Sequence, residues 1–299
     1  MCMKYYVDYK PSLRAFYVAD HVIGKCINKM TTPELMLSRS GYETLGCKPP
    51  SGKAPIVGLL MKREKKGYSA DCNSVLALAK TGVSIRFLTF HHCTLQLQEC
   101  QGLVLPDGKF DFPELYYTDP RNDKEFASLC HMAYVLCIHF ALDENMPILG
   151  ICAGAQVVAG VLGLKLYRNF DCIETPIKHS QADTDKAHRL NVFPNTPLRK
   201  LFDNDNQFYV NSRHSKLLAP IKLQYELLAE ANKTRVNEVK LPLDIYAEAN
   251  DGVPEAWGSE SRHIMCVQWQ PEDMIANGSE EMQRLYQWLA DEVTTKISA

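Results

Sequence analysis

The chain has 299 residues, 46% of them hydrophobic and 23% charged, with a net charge of −2. That balance suits a globular chain with one large α/β domain and an extension, or with two domains. It excludes a polycationic nucleic-acid binder, because the longest basic cluster, Lys62-Arg63-Glu64-Lys65-Lys66, is short and carries an acid. No apolar run approaches a membrane span, and Lys4, Asp8, Lys10, Arg14 and Asp20 interrupt any secretory apolar core. The 11 cysteines are odd in number and form no CxxC pair. They read as reduced thiols in a cytoplasmic compartment rather than a disulfide framework or a zinc site. The expected partner is a small molecule, with neither nucleic acid nor membrane involved.

Residues 1–53 stand apart as an N-terminal extension. They are rich in tyrosine, weakly periodic, and end in the linker-like Cys47-Lys-Pro49-Pro50-Ser51-Gly52-Lys53. Short helices or a loose appendage are expected there, which could act as a lid or meet a protein partner. Residues 54–299 form the main domain. Pro55–Met61 is a continuous apolar run, as in a strand buried on both faces. Asp71–Lys80 reads as a helix stopped at Thr81-Gly82, Val83–Thr89 as a strand, and Gly102–Leu105 as a short strand running into Pro106-Asp107-Gly108-Lys109. A long helix is expected from Lys124 to Leu142, with Phe126, Leu129, Cys130, Ala133, Tyr134, Cys137, Ile138 and Ala141 as its apolar stripe. Met146–Gly150 is a further strand, and Ala153–Leu162 a helix ended by Gly163.

From Leu164 to Met265 the pattern turns to alternating and polar segments. Leu190–Phe193, Gln207–Asn211, Tyr225–Ala229 and Asp244–Glu248 read as strands, with a hairpin signal at Asp251-Gly252. His263–Trp269 returns to a strand, and a helix from Glu280 to Val293 carries Met282, Leu285, Tyr286, Leu289 and Val293 on one face. Alternating strands and helices imply a mostly parallel sheet covered on both faces, with sites beyond the carboxyl ends of its strands.

The chemistry centres on Gly150-Ile-Cys152-Ala-Gly154-Ala-Gln156, where an apolar strand turns sharply into a helix. A cysteine at a helix start gains thiolate character, and the Ala153 N–H points toward the same space as an oxyanion donor. A second donor would come from Gly108. His91-His92-Cys93 is the single local cluster of metal-ligand types, and its adjacent spacing matches no common zinc site, so neither metal nor cofactor is expected.

This elbow resembles the G-x-C-x-G-x-Q motif of class I glutamine amidotransferase-like proteins, in the branch of peptidase C26 and γ-glutamyl-γ-aminobutyrate hydrolase. Further segments match in order. They are Gly102–Tyr116 with its Pro106-Asp-Gly108 turn, Val210-Asn211-Ser212-Arg-His214, Asp251-Gly252-Val-Pro-Glu255-Ala, and Val267-Gln268-Trp269-Gln270-Pro271-Glu272. The resemblance runs from Pro55 to the C-terminus. It implies a flavodoxin-like three-layer α/β sandwich with a β-rich insertion. It also implies a Cys–His–Glu triad with Cys152 as nucleophile and Glu272 as orienting acid. Gln156, Ser212 and His214 would line a site for a small γ-glutamyl or glutamine-like molecule.

The histidine position of that triad is Gln270. An amide takes up no proton near neutral pH, so it cannot serve as general base, although it can still hydrogen-bond the thiol and Glu272. A positioned base contributes roughly 10²–10⁴ in rate, and removing the histidine of a coupled triad costs about 10⁶. His214 is the best replacement base, with Glu272 a second. His263 lies seven residues before Gln270 along one strand, too far at ~3.3 Å per residue. The oxyanion loop also departs, with Asp107 and Lys109 in place of glycines, and an acid facing inward there would oppose an oxyanion. Three readings stay open: a γ-glutamyl amide hydrolase or amidotransferase working through a Cys152 thioester with an atypical base, a pseudo-enzyme that keeps the pocket for ligand sensing or partner binding, and a substitution at Gln270 introduced to trap substrate.

Overall fold

The computed structural model describes residues 3–27, 32–119, 128–173, 175–181, 184–203 and 205–298. Its centre is a parallel block of five strands in the spatial order Ile264–Val267, Ile148–Ile151, Gly102–Leu105, Ile56–Leu60 and Ser84–Leu88. Side chains along each strand alternate between two cores. Val57, Leu59, Val104, Leu149, Ile151, Met265 and Val267 face one side, with the C-terminal helix Gln283–Ser298 and the helix Cys72–Ala79. Leu60, Leu103, Leu105, Ile148, Ile264 and Cys266 face the other, with the helices Leu129–Asp143 and Ala153–Val161. Burial on both faces is why these strands read as unbroken apolar runs.

Four antiparallel strands extend the block on one side: Pro254–Ser259, Asp244–Ala249, His188–Val192 and Gln207–Val210. They form the expected β-rich insertion, and Asp251-Gly252 lies in the hairpin between the first two, with Gly252 at φ +81°. Two small ribbons lie outside the sheet, one of which pairs Ser180–Gln181 with Ser212–Arg213.

On the other side the sheet continues into the N-terminal segment. Pro33–Leu37 pairs antiparallel with Ser84–Leu88, Met3–Lys10 lies parallel to Pro33–Leu37, and Ala15–Ala19 then pairs with Met3–Lys10. Residues 1–53 contain the expected short helices, Asp20–Ile27 and Arg39–Thr44, but their strands join the same sheet as the main body rather than forming a loose appendage. The buried Arg86 guanidinium ties the junction, reaching Glu34 at 3.0 Å and Glu99 at 2.7 Å.

Other differences have local causes. Tyr225–Ala229 is not a strand but part of the helix Ile221–Asn232. Its buried face includes Gln224, whose amide accepts from the Lys165 N–H at 2.9 Å and donates to the Lys165 carbonyl at 2.7 Å, so a polar residue stands where the helical stripe needs an apolar one. Pro254–Ser259 is a strand that begins on proline, the position in a strand where proline is tolerated. The helix expected from Lys124 is described from Leu129; Phe126 lies outside the described residues, and Leu129 is exposed rather than part of the stripe. Cys47, Cys72, Cys93, Cys100, Cys130, Cys137, Cys152 and Cys266 are free thiols, and among the described residues no helix is long and apolar enough to cross a membrane.

Candidate active site

Cys152 follows the strand Ile148–Ile151 at the carboxyl end of the parallel block, and its N–H donates to the Val267 carbonyl at 2.8 Å. Its backbone is held at φ 49°, ψ −111°, a conformation that side-chain-bearing residues rarely adopt. Two glycines permit the surrounding turns. An added Cβ at Gly154 would lie 2.2 Å from the Leu105 carbonyl oxygen, and one at Gly108 would lie 2.5 Å from the Phe110 ring. The elbow is thus pressed onto the neighbouring strand, and the loop after that strand is fixed by the Tyr134 hydroxyl, which donates to the Pro106 carbonyl at 3.0 Å.

A cavity of about 500 Å³ opens over the cysteine, lined among others by Asp107, Gly108, Cys152, Gln156, His214 and Lys216. Its volume matches a small-molecule site. Cys152 and Ala153 line it together with Gly108, as the sequence implies.

The charge arrangement departs from a working elbow. Asp107 faces inward, and its Oδ1 accepts from the Ala153 N–H at 3.4 Å, where an oxyanion would need that donor. Burial raises the Cys152 thiol well above its usual value, and the field and hydrogen bond of Asp107 raise it further; the Ala153 N–H opposes the shift without reversing it. The thiol's polar neighbour is Gln268, whose Nε2 lies 3.6 Å from Sγ.

Gln270 engages neither the thiol nor Glu272. Its Nε2 donates to Asp107 Oδ2 at 3.0 Å, and its Oε1 accepts from Arg213 Nη1 at 3.3 Å. Arg213 in turn pairs with Asp273. The Asn211 side chain clamps the Gln270 backbone, bonding both its N–H and its carbonyl at 2.8 Å. An amide suits this position because it bridges a carboxylate and a guanidinium with one donor and one acceptor.

Glu272 is buried, its Oε2 lies 3.4 Å from the Tyr286 hydroxyl, and burial raises its carboxyl to about 8. Without an imidazolium to pair with, it stays largely protonated at neutral pH. Gln156 lies in the cavity wall, but its Nε2 is already shared between the Lys216 carbonyl at 2.8 Å and Gln268 Oε1 at 2.9 Å. Ser212 is fully buried and donates to the His179 carbonyl at 2.7 Å, holding a ribbon rather than facing the cavity.

His214 borders the cavity, but neither ring nitrogen is directed at Cys152. Nδ1 sits 2.9 Å from the Lys216 carbonyl and Nε2 sits 3.3 Å from Glu255. His263 Nδ1 is taken by Glu292 at 2.6 Å. The residues that sequence reasoning missed are Gln268, Asn211 and Arg213, together with His179, His188 and Glu255 around His214. The first three, and Glu255, lie inside the motifs already quoted. His179, His188 and Glu255 are brought together with His214 only by the fold.

The Peptidase C26 family model matches residues 65–272. The putative glutamine amidotransferase-like protein YvdE of Lactococcus lactis is 28% identical over 174 residues, which covers 57% of this chain and 65% of the relative. The putative glutamine amidotransferase-like protein RP404 of Rickettsia prowazekii is 26% identical over 227 residues, covering 61% of this chain and 74% of the relative. The chain therefore spans just under two thirds of YvdE's length, at 65%. Among solved structures, a putative GMP synthase component from Thermoplasma acidophilum has a TM-score of 0.54 at 14% identity and covers 83% of this chain and 98% of its own. The glutaminase domain of Trypanosoma brucei CTPS has a TM-score of 0.54 at 14% identity and covers 81% of this chain and 94% of its own. Both share the flavodoxin-like α/β fold.

Proposed function

Because the chain belongs to the peptidase C26 family of class I glutamine amidotransferase-like proteins, we propose that it keeps the family's cavity as a binding site for a small γ-glutamyl or glutamine-like molecule and does not turn that molecule over efficiently. The observation that carries this reading is Asp107, whose carboxylate accepts from the Ala153 N–H at 3.4 Å. A negative charge there repels both the thiolate and the oxyanion that follows it. Gln270 supplies no base, and its amide holds Asp107 in place. The cavity wall offers Lys109, Arg213 and Lys216 to a carboxylate and Asp111 to an ammonium group, which suits an amino-acid head.

A second reading, a slow hydrolase working through a Cys152 thioester, is favoured by the strained elbow at φ 49°, ψ −111°. One experiment separates the two. Glutamine and a γ-glutamyl amide are titrated calorimetrically, while ammonia or amine release and thioester trapping by a glutamine-like electrophile are followed in parallel. Saturable binding with no turnover and no Cys152 adduct supports the binding reading. Turnover that disappears in Cys152→Ala overturns it in favour of the hydrolase, and absence of any binding overturns the choice of ligand.

A further inference from the structure

We propose that His179, His188, His214 and Glu255 form a structural site for a zinc-class divalent transition-metal ion. Their ligand atoms all lie within 4.8 Å of one another, and all four residues are buried. Three imidazole nitrogens converge on a single carboxylate oxygen. His179 Nδ1, His214 Nε2 and His188 Nε2 stand 3.1, 3.3 and 3.5 Å from Glu255 Oε1. A tetrahedral ion with ligand bonds of about 2.0–2.1 Å has ligand-to-ligand edges of roughly 3.3–3.4 Å, so these separations match the three edges of its coordination shell that meet at the carboxylate.

The hydrogen-bond census points the same way. His179 Nδ1, His188 Nε2, His214 Nε2 and both Glu255 oxygens make no hydrogen bond of proper geometry, although each is cut off from solvent. Orphaned polar atoms of this kind are costly singly, and here they converge on one another. Two of the three outward ring nitrogens are held as in a metal site's supporting shell, while His188 Nδ1 makes no hydrogen bond of proper geometry. His179 Nε2 meets Asp251 Oδ2 at 2.9 Å, and His214 Nδ1 meets the Lys216 carbonyl at 2.9 Å. Asp251 is itself fixed by Thr175 and by the Val253 N–H. An ion of charge +2 would be balanced by Glu255 and Asp251, leaving the buried cluster neutral. Three imidazoles and one carboxylate select a borderline transition ion over magnesium or calcium.

Four protein ligands complete a tetrahedron and leave no open position, which marks the site as structural. Its ligands come from the strands His188–Val192 and Pro254–Ser259 and from residues beside the ribbon that pairs Ser180–Gln181 with Ser212–Arg213. That ribbon carries Arg213, which holds Gln270. The ion would therefore brace one wall of the cavity beside Cys152.

The test uses the full chain and reads metal, not activity, so its outcome is independent of what happens at Cys152. Elemental analysis of the purified protein, before and after incubation with Zn²⁺ and desalting, is expected to find one equivalent of metal per chain. Cys152→Ala keeps that equivalent, and His188→Asn loses most of it. Stripping the ion with a chelator lowers Tm, and restoring Zn²⁺ to about a hundred-fold excess over its Kd raises it by roughly 5 °C or more. Co²⁺ added to the stripped protein gives the visible absorption of a tetrahedral centre, a readout that does not depend on any variant folding. A chain that remains metal-free after Zn²⁺ incubation, or a folded His188→Asn that binds as much as the parent, overturns the proposal.

Discussion

The Gln270 amide donates to Asp107 Oδ2 across 3.0 Å, so the residue at the base position restrains the very carboxylate that opposes the nucleophile. The two departures from the family's motif are therefore one device. Gln270 orients Asp107, and Asp107 accepts from the Ala153 N–H and helps hold the Cys152 thiol protonated.

Removing the carboxylate is expected to free the thiol. Asp107→Asn keeps the shape and deletes the charge, so the Cys152 pKa falls toward its burial-determined level. Each unit of that fall raises the thiolate fraction about tenfold. Alkylation by iodoacetamide at neutral pH, with Cys152→Ala subtracted to remove the other thiols, should quicken. An unchanged rate would show that Asp107 does not control the thiol.

Restoring catalysis should require both positions. Gln270→His alone supplies an imidazole while Asp107 still occupies the Ala153 donor, so little gain in γ-glutamyl amide hydrolysis is expected. Asp107→Gly together with Gln270→His should exceed either single change, by about 10² or more, since a positioned base contributes 10²–10⁴. Equal rates for the double variant and Gln270→His would refute the inhibitory role given to Asp107.

The Glu272 carboxyl gives a pH signature. Its folded value is raised to about 8 from 4.5, so the folded chain retains a proton that the unfolded chain has released. The contribution is fully present below pH 4.5 and is lost as pH rises through 8. Glu272→Gln cannot ionise and should lack that loss. Denaturant unfolding should find the variant and parent close near the acid end of this window. The variant should be more stable by up to a few kcal/mol at its alkaline end. Parallel pH curves would mean that Glu272 ionises freely in the folded chain.

Backbone strain at the elbow should be measurable as stability. Cys152→Gly and Cys152→Ala both delete the thiol, but only glycine relaxes φ 49°, ψ −111°. The glycine variant should be the more stable by about 1–3 kcal/mol in thermal or denaturant unfolding. The reverse order would remove strain as a property of this turn.

The parallel block and the elbow were legible because strands buried on both faces leave continuous apolar runs, and a glycine–cysteine–glycine turn leaves a compact motif. The N-terminal strands were less so. Tyr5, Val7 and Tyr9 turn inward while Lys4, Tyr6 and Asp8 turn outward, an alternation hidden by tyrosines on both faces. The inward turn of Asp107 was not legible, since a loop carboxylate has no periodicity to give its direction. His179, His188, His214 and Glu255 were invisible as a set for another reason. They are far apart in sequence and meet only when antiparallel pairing brings His188–Val192 and Pro254–Ser259 near the same end of the insertion.

The bond from the Cys152 N–H to the Val267 carbonyl, at 2.8 Å, has a consequence for the order in which the protein is made. The strand Ile148–Ile151 must wait for its parallel neighbour Ile264–Val267 before the elbow has its anchor. That neighbour, with Gln268, Gln270 and Glu272 just beyond it, leaves the ribosome only well after Cys152. A nascent chain therefore carries Cys152 without the pocket that shields it until that strand emerges, and a premature stop before residue 264 would release a chain in which this thiol is still unguarded.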